Sequence, residues 1–364
     1  MLKHATGMFL NARTMLGLPR RIGIVNTKPR LQSRGFYHIL SCVWQVLDRE
    51  LISVFSVIGV LILVLILFFF LSYLLFLFVF YVPPRKKRNE DEFDFPVGKI
   101  YKPFYDAMRK WITSCRNTPH EVFSIQSFDG LTLYGNYYEF APGAPVELMF
   151  HGYRGNAERD LAGGVHRCFQ LGHSALIVDQ RCAGRSDGNV ITFGIHEHRD
   201  CLSWVSFMVS HFGPDVQILL TGISMGASTV LIAAGQKLPP NVIGVLADCG
   251  FHSAKDVICS VASGMHLPVK LLYPIAKFGA KVFGHFDLEE VTPEESLRNC
   301  KIPVLFFHGE EDTYVPAYMS EINYDACPSR KQLVLIPGAG HGLCYPVAPA
   351  QYIQIMDQFF HQAH

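Results

Sequence analysis

Leu219-Leu220-Thr221-Gly222-Ile223-Ser224-Met225-Gly226-Ala227-Ser228-Thr229 is the stretch that decides how this chain reads. An apolar run, Val216 to Leu220, leads into it, and small and apolar residues, Ala227 to Ala234, lead out. Strand, sharp turn, helix is the setting in which Gly222-x-Ser224-x-Gly226 means a nucleophile elbow. The turn is tight, so its flanking positions must be nearly free of side chain, which glycine allows. The hydroxyl of Ser224 is then held in the open and a helix starts at Met225. Alone, the same letters could be a turn of composition only, since the chain holds 30 glycines. A lone serine hydroxyl is a poor nucleophile. It needs a base to take its proton and a carboxylate to orient that base.

Two later strand ends offer such groups. After the apolar run Val304 to Phe307 comes His308-Gly309-Glu310-Glu311-Asp312-Thr313-Tyr314-Val315-Pro316. After Leu333 to Ile336 comes Pro337-Gly338-Ala339-Gly340-His341-Gly342. Serine, acid, histidine is the chain order expected of this type of elbow. Three carboxylates, Glu310, Glu311 and Asp312, compete for the acid, and Asp248 after another strand is a fourth. His151 and His308, each before a glycine at a strand end, read as structural. His196 and His198 flank Glu197 without the spacing of a metal-binding helix.

Around these groups the pattern alternates strand and helix. Expected strands are Glu121–Phe128, Leu131–Phe140, Val146–Phe150, Ala175–Asp179, Val216–Leu220, Val242–Ala247, Val304–Phe307 and Leu333–Ile336. Asp129-Gly130 joins the first two as a hairpin. Helices are expected over Glu158–Leu171, His196–His211, Met225–Gly235 and Pro346–Phe360. This beat implies an α/β fold, a mostly parallel sheet covered on both faces. About fifty residues between Asp248 and Cys300 break it. Val261 to Phe283 is apolar at helical spacing and reads as a small helical cap over about 250–300.

The 364 residues carry a net charge of +1, which gives no reason to expect nucleic acid. Ten cysteines are scattered without a C-x-x-C pair, which argues against zinc and thioredoxin-like chemistry. Residues 1–50 form a basic extension. From Leu51 to Val82 no charge occurs. About 20 apolar residues suffice to cross a bilayer, so 51–82 is expected to be a transmembrane helix. It starts too late and runs too long for a signal peptide. Residues 83–98 read as a charged linker, and 99–364 as the globular domain. Arg85, Lys86, Lys87, Arg88, Lys99 and Lys102 follow the span within twenty residues, against Arg34 and Arg49 before it. That asymmetry places the globular domain in the cytoplasm, and the basic run suits contact with anionic lipid.

Residues from about 120 to 362 resemble the α/β-hydrolase superfamily. They are most similar to its membrane-anchored, serine-aminopeptidase-like and lysophospholipase-like branch. The resemblance rests on His151-Gly152, Asp179-x-Arg181-x-x-Gly184-x-Ser186, Gly222-x-Ser224-x-Gly226, His308-Gly309-x-x-Asp312-x-x-Val315-Pro316 and Gly340-His341. It implies an α/β-hydrolase fold of about eight strands, with Ser224 as nucleophile, Asp312 as acid and His341 as base. It also implies an oxyanion hole from the backbone N–H groups of Tyr153 and Met225. Arg154 and Asn156 are expected to line the pocket. Neither a metal nor an organic cofactor is required. The expected activity is cleavage of an ester, thioester or amide on an acyl-bearing small molecule, lipid or peptide. The competing expectation is a catalytically silent binding or scaffold protein that kept the fold.

Overall fold

A computed structural model describes residues 33–84 and 92–360. The basic run Arg85–Arg88 and residues 1–32 of the basic extension lie outside the described residues. The chain divides into two units, Met1–Leu65 and Ile66–His364. The described part of the first is helical.

The second unit is built on eight strands: β1 (Glu121–Gln126), β2 (Thr132–Tyr138), β3 (Val146–Phe150), β4 (Ser174–Asp179), β5 (Ile218–Ile223), β6 (Val242–Asp248), β7 (Val304–Gly309) and β8 (Lys331–Ile336). They form one sheet in the order β1-β2-β4-β3-β5-β6-β7-β8. Only β2 runs against its neighbours β1 and β4; every other pairing is parallel. The largely apolar central strands explain the layering. Every residue of β3 and β4 is buried, as a parallel strand with both faces covered must be.

Helix α1 spans Ser33–Val79, longer than the expected transmembrane helix at its N-terminal side. Apolar residues at Ile39, Leu40, Val43, Trp44 and Leu47 carry a helical stripe back through residues assigned to the extension. Then come α2 (Tyr105–Asn117), α3 (Ala157–Gln170), α4 (Glu197–Phe212), α5 (Met225–Ala234), α6 (Ala254–Gly264), α7 (Val269–Phe283), α8 (Pro293–Leu297), α9 (Tyr318–Ala326), α10 (Cys344–Val347) and α11 (Pro349–Phe360). One side of the sheet packs on α4 and α5 through Trp204, Met208, Val230 and Leu231. The other packs on α2, α3 and α11.

The cap is the pair α6 and α7, narrower than expected. Short α8 belongs to the sheet's core instead: Leu297 lies in the main cluster, and a Cβ on Gly235 of α5 would collide with the Ser296 carbonyl. Helix α2 was not anticipated; its buried face is only Met108, Ile112 and Cys115.

The end of the apolar run departs most from expectation. Phe76, Phe80 and Val82 are buried, in a cluster with Phe193, Phe251, Ala276, Ala280 and Phe286. Phe80 meets Phe193 and Phe286 edge-on. The Ser72 hydroxyl donates to the Ile275 carbonyl at 2.9 Å. A Cβ on Gly279 would lie 2.6 Å from the Ser72 carbonyl oxygen, so glycine permits this close helix contact. Phe76, Phe80 and Val82, at the end of the apolar run, are therefore packed into the core of the globular unit.

Candidate active site

Strand β5 ends at Ile223 and α5 starts at Met225, with Ser224 alone between them at φ 57°. A non-glycine residue there is strained, and such strain persists only when its surroundings impose it. Here they do. A Cβ on Gly222 would strike the Gly226 backbone, and one on Gly226 the Phe150 carbonyl. The Ser224 N–H is held by the Asp248 carbonyl at 2.8 Å.

Parallel strands bring their C-terminal ends to one edge, so the loops after β7 and β8 reach this serine. His341 Nε2 lies 2.9 Å from Ser224 Oγ, and His341 Nδ1 lies 2.6 Å from Asp312 Oδ2. The other oxygen of Asp312 accepts the N–H groups of Tyr314 and Val315, both at 2.9 Å. Burial pushes the Asp312 carboxyl up. Hydrogen bonds from His308 and His341, with the charge of His341, outweigh this and hold it at about 2. Asp312 is thus an anion against the Nδ1–H of His341, which leaves Nε2 to accept from Ser224.

The competing groups are placed elsewhere. Glu310 and Glu311 are exposed. Asp248 takes the Tyr352 hydroxyl at 3.1 Å, and burial raises its carboxyl. His308 bonds Ser320 and the Val315 carbonyl, steadying the loop of Asp312. His151 accepts from the Gln180 N–H and donates to the Gly152 carbonyl. Glu197 caps the loop at Thr192 and Gly194. Among the described residues, Cys249, Asp312 and His341 bring possible ligand atoms within 4.8 Å of one another. Burial holds the Cys249 thiol well above its ordinary value.

A cavity of about 680 Å³ opens over Ser224. Tyr153, Met225 and Arg154 line it, as does His341. The backbone N–H groups of Tyr153 and Met225 donate to no described group. The Arg154 guanidinium donates to the carbonyls of Phe78 and Tyr81 at the end of α1. The Tyr153 hydroxyl donates to the Val79 carbonyl at 2.5 Å. Together they satisfy carbonyls that a helix end leaves open, with a cation at the negative end of the dipole. Asn156, also expected in the pocket, does not line it. It caps α3 by accepting the Arg159 N–H and donates to Asp94. Leu75, Phe78 and Val79 form a wall that sequence reading missed. Their partners lie more than seventy residues away, and no local pattern marks that.

The sheet order, elbow and loop placement are those of the α/β-hydrolase fold, and this chain has that fold. No protein-family model matches it. Uncharacterized protein YqkD of Bacillus subtilis is 29% identical over 241 residues, 65% of this chain and 78% of the relative. Protein bem46 of Schizosaccharomyces pombe is 25% identical over 224 residues, covering 59% and 68%. Among solved structures, the Pyrococcus furiosus esterase Pf2001 superimposes at TM-score 0.57 with 19% identity, over 77% of this chain and 98% of that one. The alpha/beta hydrolase GrgF from Penicillium sp. sh18 does so at 0.52 with 17% identity, over 68% and 99%.

Proposed function

We propose that the chain is a membrane-anchored serine hydrolase that cleaves an ester, thioester or amide through an acyl-enzyme on Ser224. The observation that carries this reading is the unbroken hydrogen-bond line from Asp312 through His341 to a strained, cavity-facing serine. In the first half-reaction His341 Nε2 takes the Ser224 proton as Oγ attacks the carbonyl carbon. The bond to the leaving group breaks, the leaving group receives that proton from His341, and the acyl group stays on Ser224. In the second, water gives a proton to His341 and attacks the acyl carbon. Ser224 recovers the proton and the carboxylic acid departs. The N–H groups of Tyr153 and Met225 would hold the oxyanion; one such donor lowers the barrier by about 3 kcal/mol. No step calls on a metal or an organic cofactor.

Anchoring is supported by α1, whose His38–Val79 stretch is long and apolar enough to cross a membrane. Asp48, Arg49 and Glu50 bound the uncharged run on one side. The hydrogen bond from Ser72 to the Ile275 carbonyl marks its other side. Leu51 to Leu71 remains, about 21 residues or about 31 Å of helix, against about 30 Å of bilayer hydrocarbon. With the basic excess after the span, the globular unit faces the cytoplasm.

The test is labelling of the purified full chain by a fluorophosphonate probe. Labelling that disappears in Ser224→Ala is expected. A folded chain that takes no label would favour the binding-protein alternative.

A further inference from the structure

Within Ile66–His364 the cavity over Ser224 is not closed by polar surface. Its rim carries Phe78, Val97, Met265 and Leu267, all exposed, Val97 at 91%. Helix α6 adds exposed Val261 and helix α7 exposed Leu271, the latter at 62%. The last turns of α1 expose Phe69, Phe70 and Leu74 and touch the cap where Phe68 and Phe69 meet Phe278. The rim, the cap and the last turns of α1 thus each carry exposed apolar side chains, and ring contacts join α1 to the cap, an apolar surface that scattered residues do not explain. It is shared with the helix proposed to lie in the bilayer, so the hydrocarbon already at α1 is the occupant that covers it. Lys270 and Lys281 are exposed on α7, where long cationic side chains reach headgroups from an apolar helix.

We propose that the α6–α7 cap sits in the leaflet beside α1. The substrate is then a lipid ester whose acyl chain passes from the leaflet, between Phe78 and Met265, to Ser224. This rests on the hydrolase reading above and names its substrate class. The cavity volume lies in the range of pockets that bury a whole ligand. The chain would move from one apolar phase to another, so water never has to receive it.

The experiment uses the full chain in phosphatidylcholine vesicles. Two lipid esters, 1-palmitoylglycerol and 1-palmitoyl-lysophosphatidylcholine, are compared with water-soluble p-nitrophenyl butyrate. Leu271→Glu is chosen because Leu271 does not line the cavity. It is expected to cut lipid-ester turnover about tenfold, the factor that about 1.4 kcal/mol of lost insertion gives, and to leave butyrate turnover unchanged. Insertion is read separately, by an environment-sensitive fluorophore on Leu271→Cys in a Cys42→Ser, Cys259→Ser background. Quenching by acyl-chain quenchers is expected. A water-like, unquenched signal overturns the proposal, as do unchanged lipid-ester turnover in Leu271→Glu and cleavage of an S-acylated peptide but of no lipid ester. If no ester is cleaved while the fluorophore is quenched, the hydrolase reading fails and the seating of the cap stands.

Discussion

At Asp312 one carboxylate serves two ends. It orients His341, and its depressed value links it to stability. The folded group sits at about 2, below the about 3.9 of an unfolded aspartate. Its contribution is therefore complete above about pH 5 and is lost as pH falls toward 2, on the order of 2 kcal/mol. Acid denaturation should show it: Asp312→Asn is expected to start less stable at neutral pH and to lose less between pH 5 and 2 than the native chain. The same variant should lower turnover by about four orders of magnitude, as loss of the correct tautomer does, while Glu311→Gln leaves it unchanged. A loss of that size in Glu311→Gln, with none in Asp312→Asn, would move the acid to Glu311. These residues were legible in sequence because each sits in a short motif at a strand end, where the fold delivers it. The placement of Asn156 outside the cavity was not, nor were the α1 carbonyls that Arg154 holds, because their partners are distant in sequence. Long-range pairings of that kind leave no trace in spacing.

At the scale of elements, Gly226 and Phe80 mark two different constraints. A Cβ at Gly226 collides with backbone, so Gly226→Ala should cost about 2–4 kcal/mol and remove probe labelling, because backbone cannot give way as a side chain can. Phe80→Ala should cost about 3–5 kcal/mol, seen as a lower melting temperature of the detergent-solubilised chain. A surface-like cost below about 0.5 kcal/mol would mean that the end of α1 is not core. The eight strands were readable from apolar runs between turn signals, with errors of one or two residues at most ends. The packing of Phe76, Phe80 and Val82 into the globular unit was not, because lipid and protein interior select the same apolar residues and hydropathy does not tell them apart.

For the molecule as a whole, the proposed anchor and the candidate active site share a part. The last turns of α1 wall the cavity, and the loop expected to supply an oxyanion donor is pinned to them through Tyr153 and Arg154. A chain starting at residue 99 should therefore lose far more activity than one starting at residue 66, although both keep every strand. Comparable activity in the two, measured on p-nitrophenyl butyrate, would separate anchor from chemistry. All of this turns on whether Ser224 carries the acyl group. The direct measurement is a peptide mass map of the full chain after acid quench from a slowly deacylating ester. The account predicts an acyl mass shift, labile to hydroxylamine, on the peptide containing Ser224, absent in Ser224→Ala. Ester turnover that persists in Ser224→Ala, with no acyl shift on that peptide in the native chain, would contradict it.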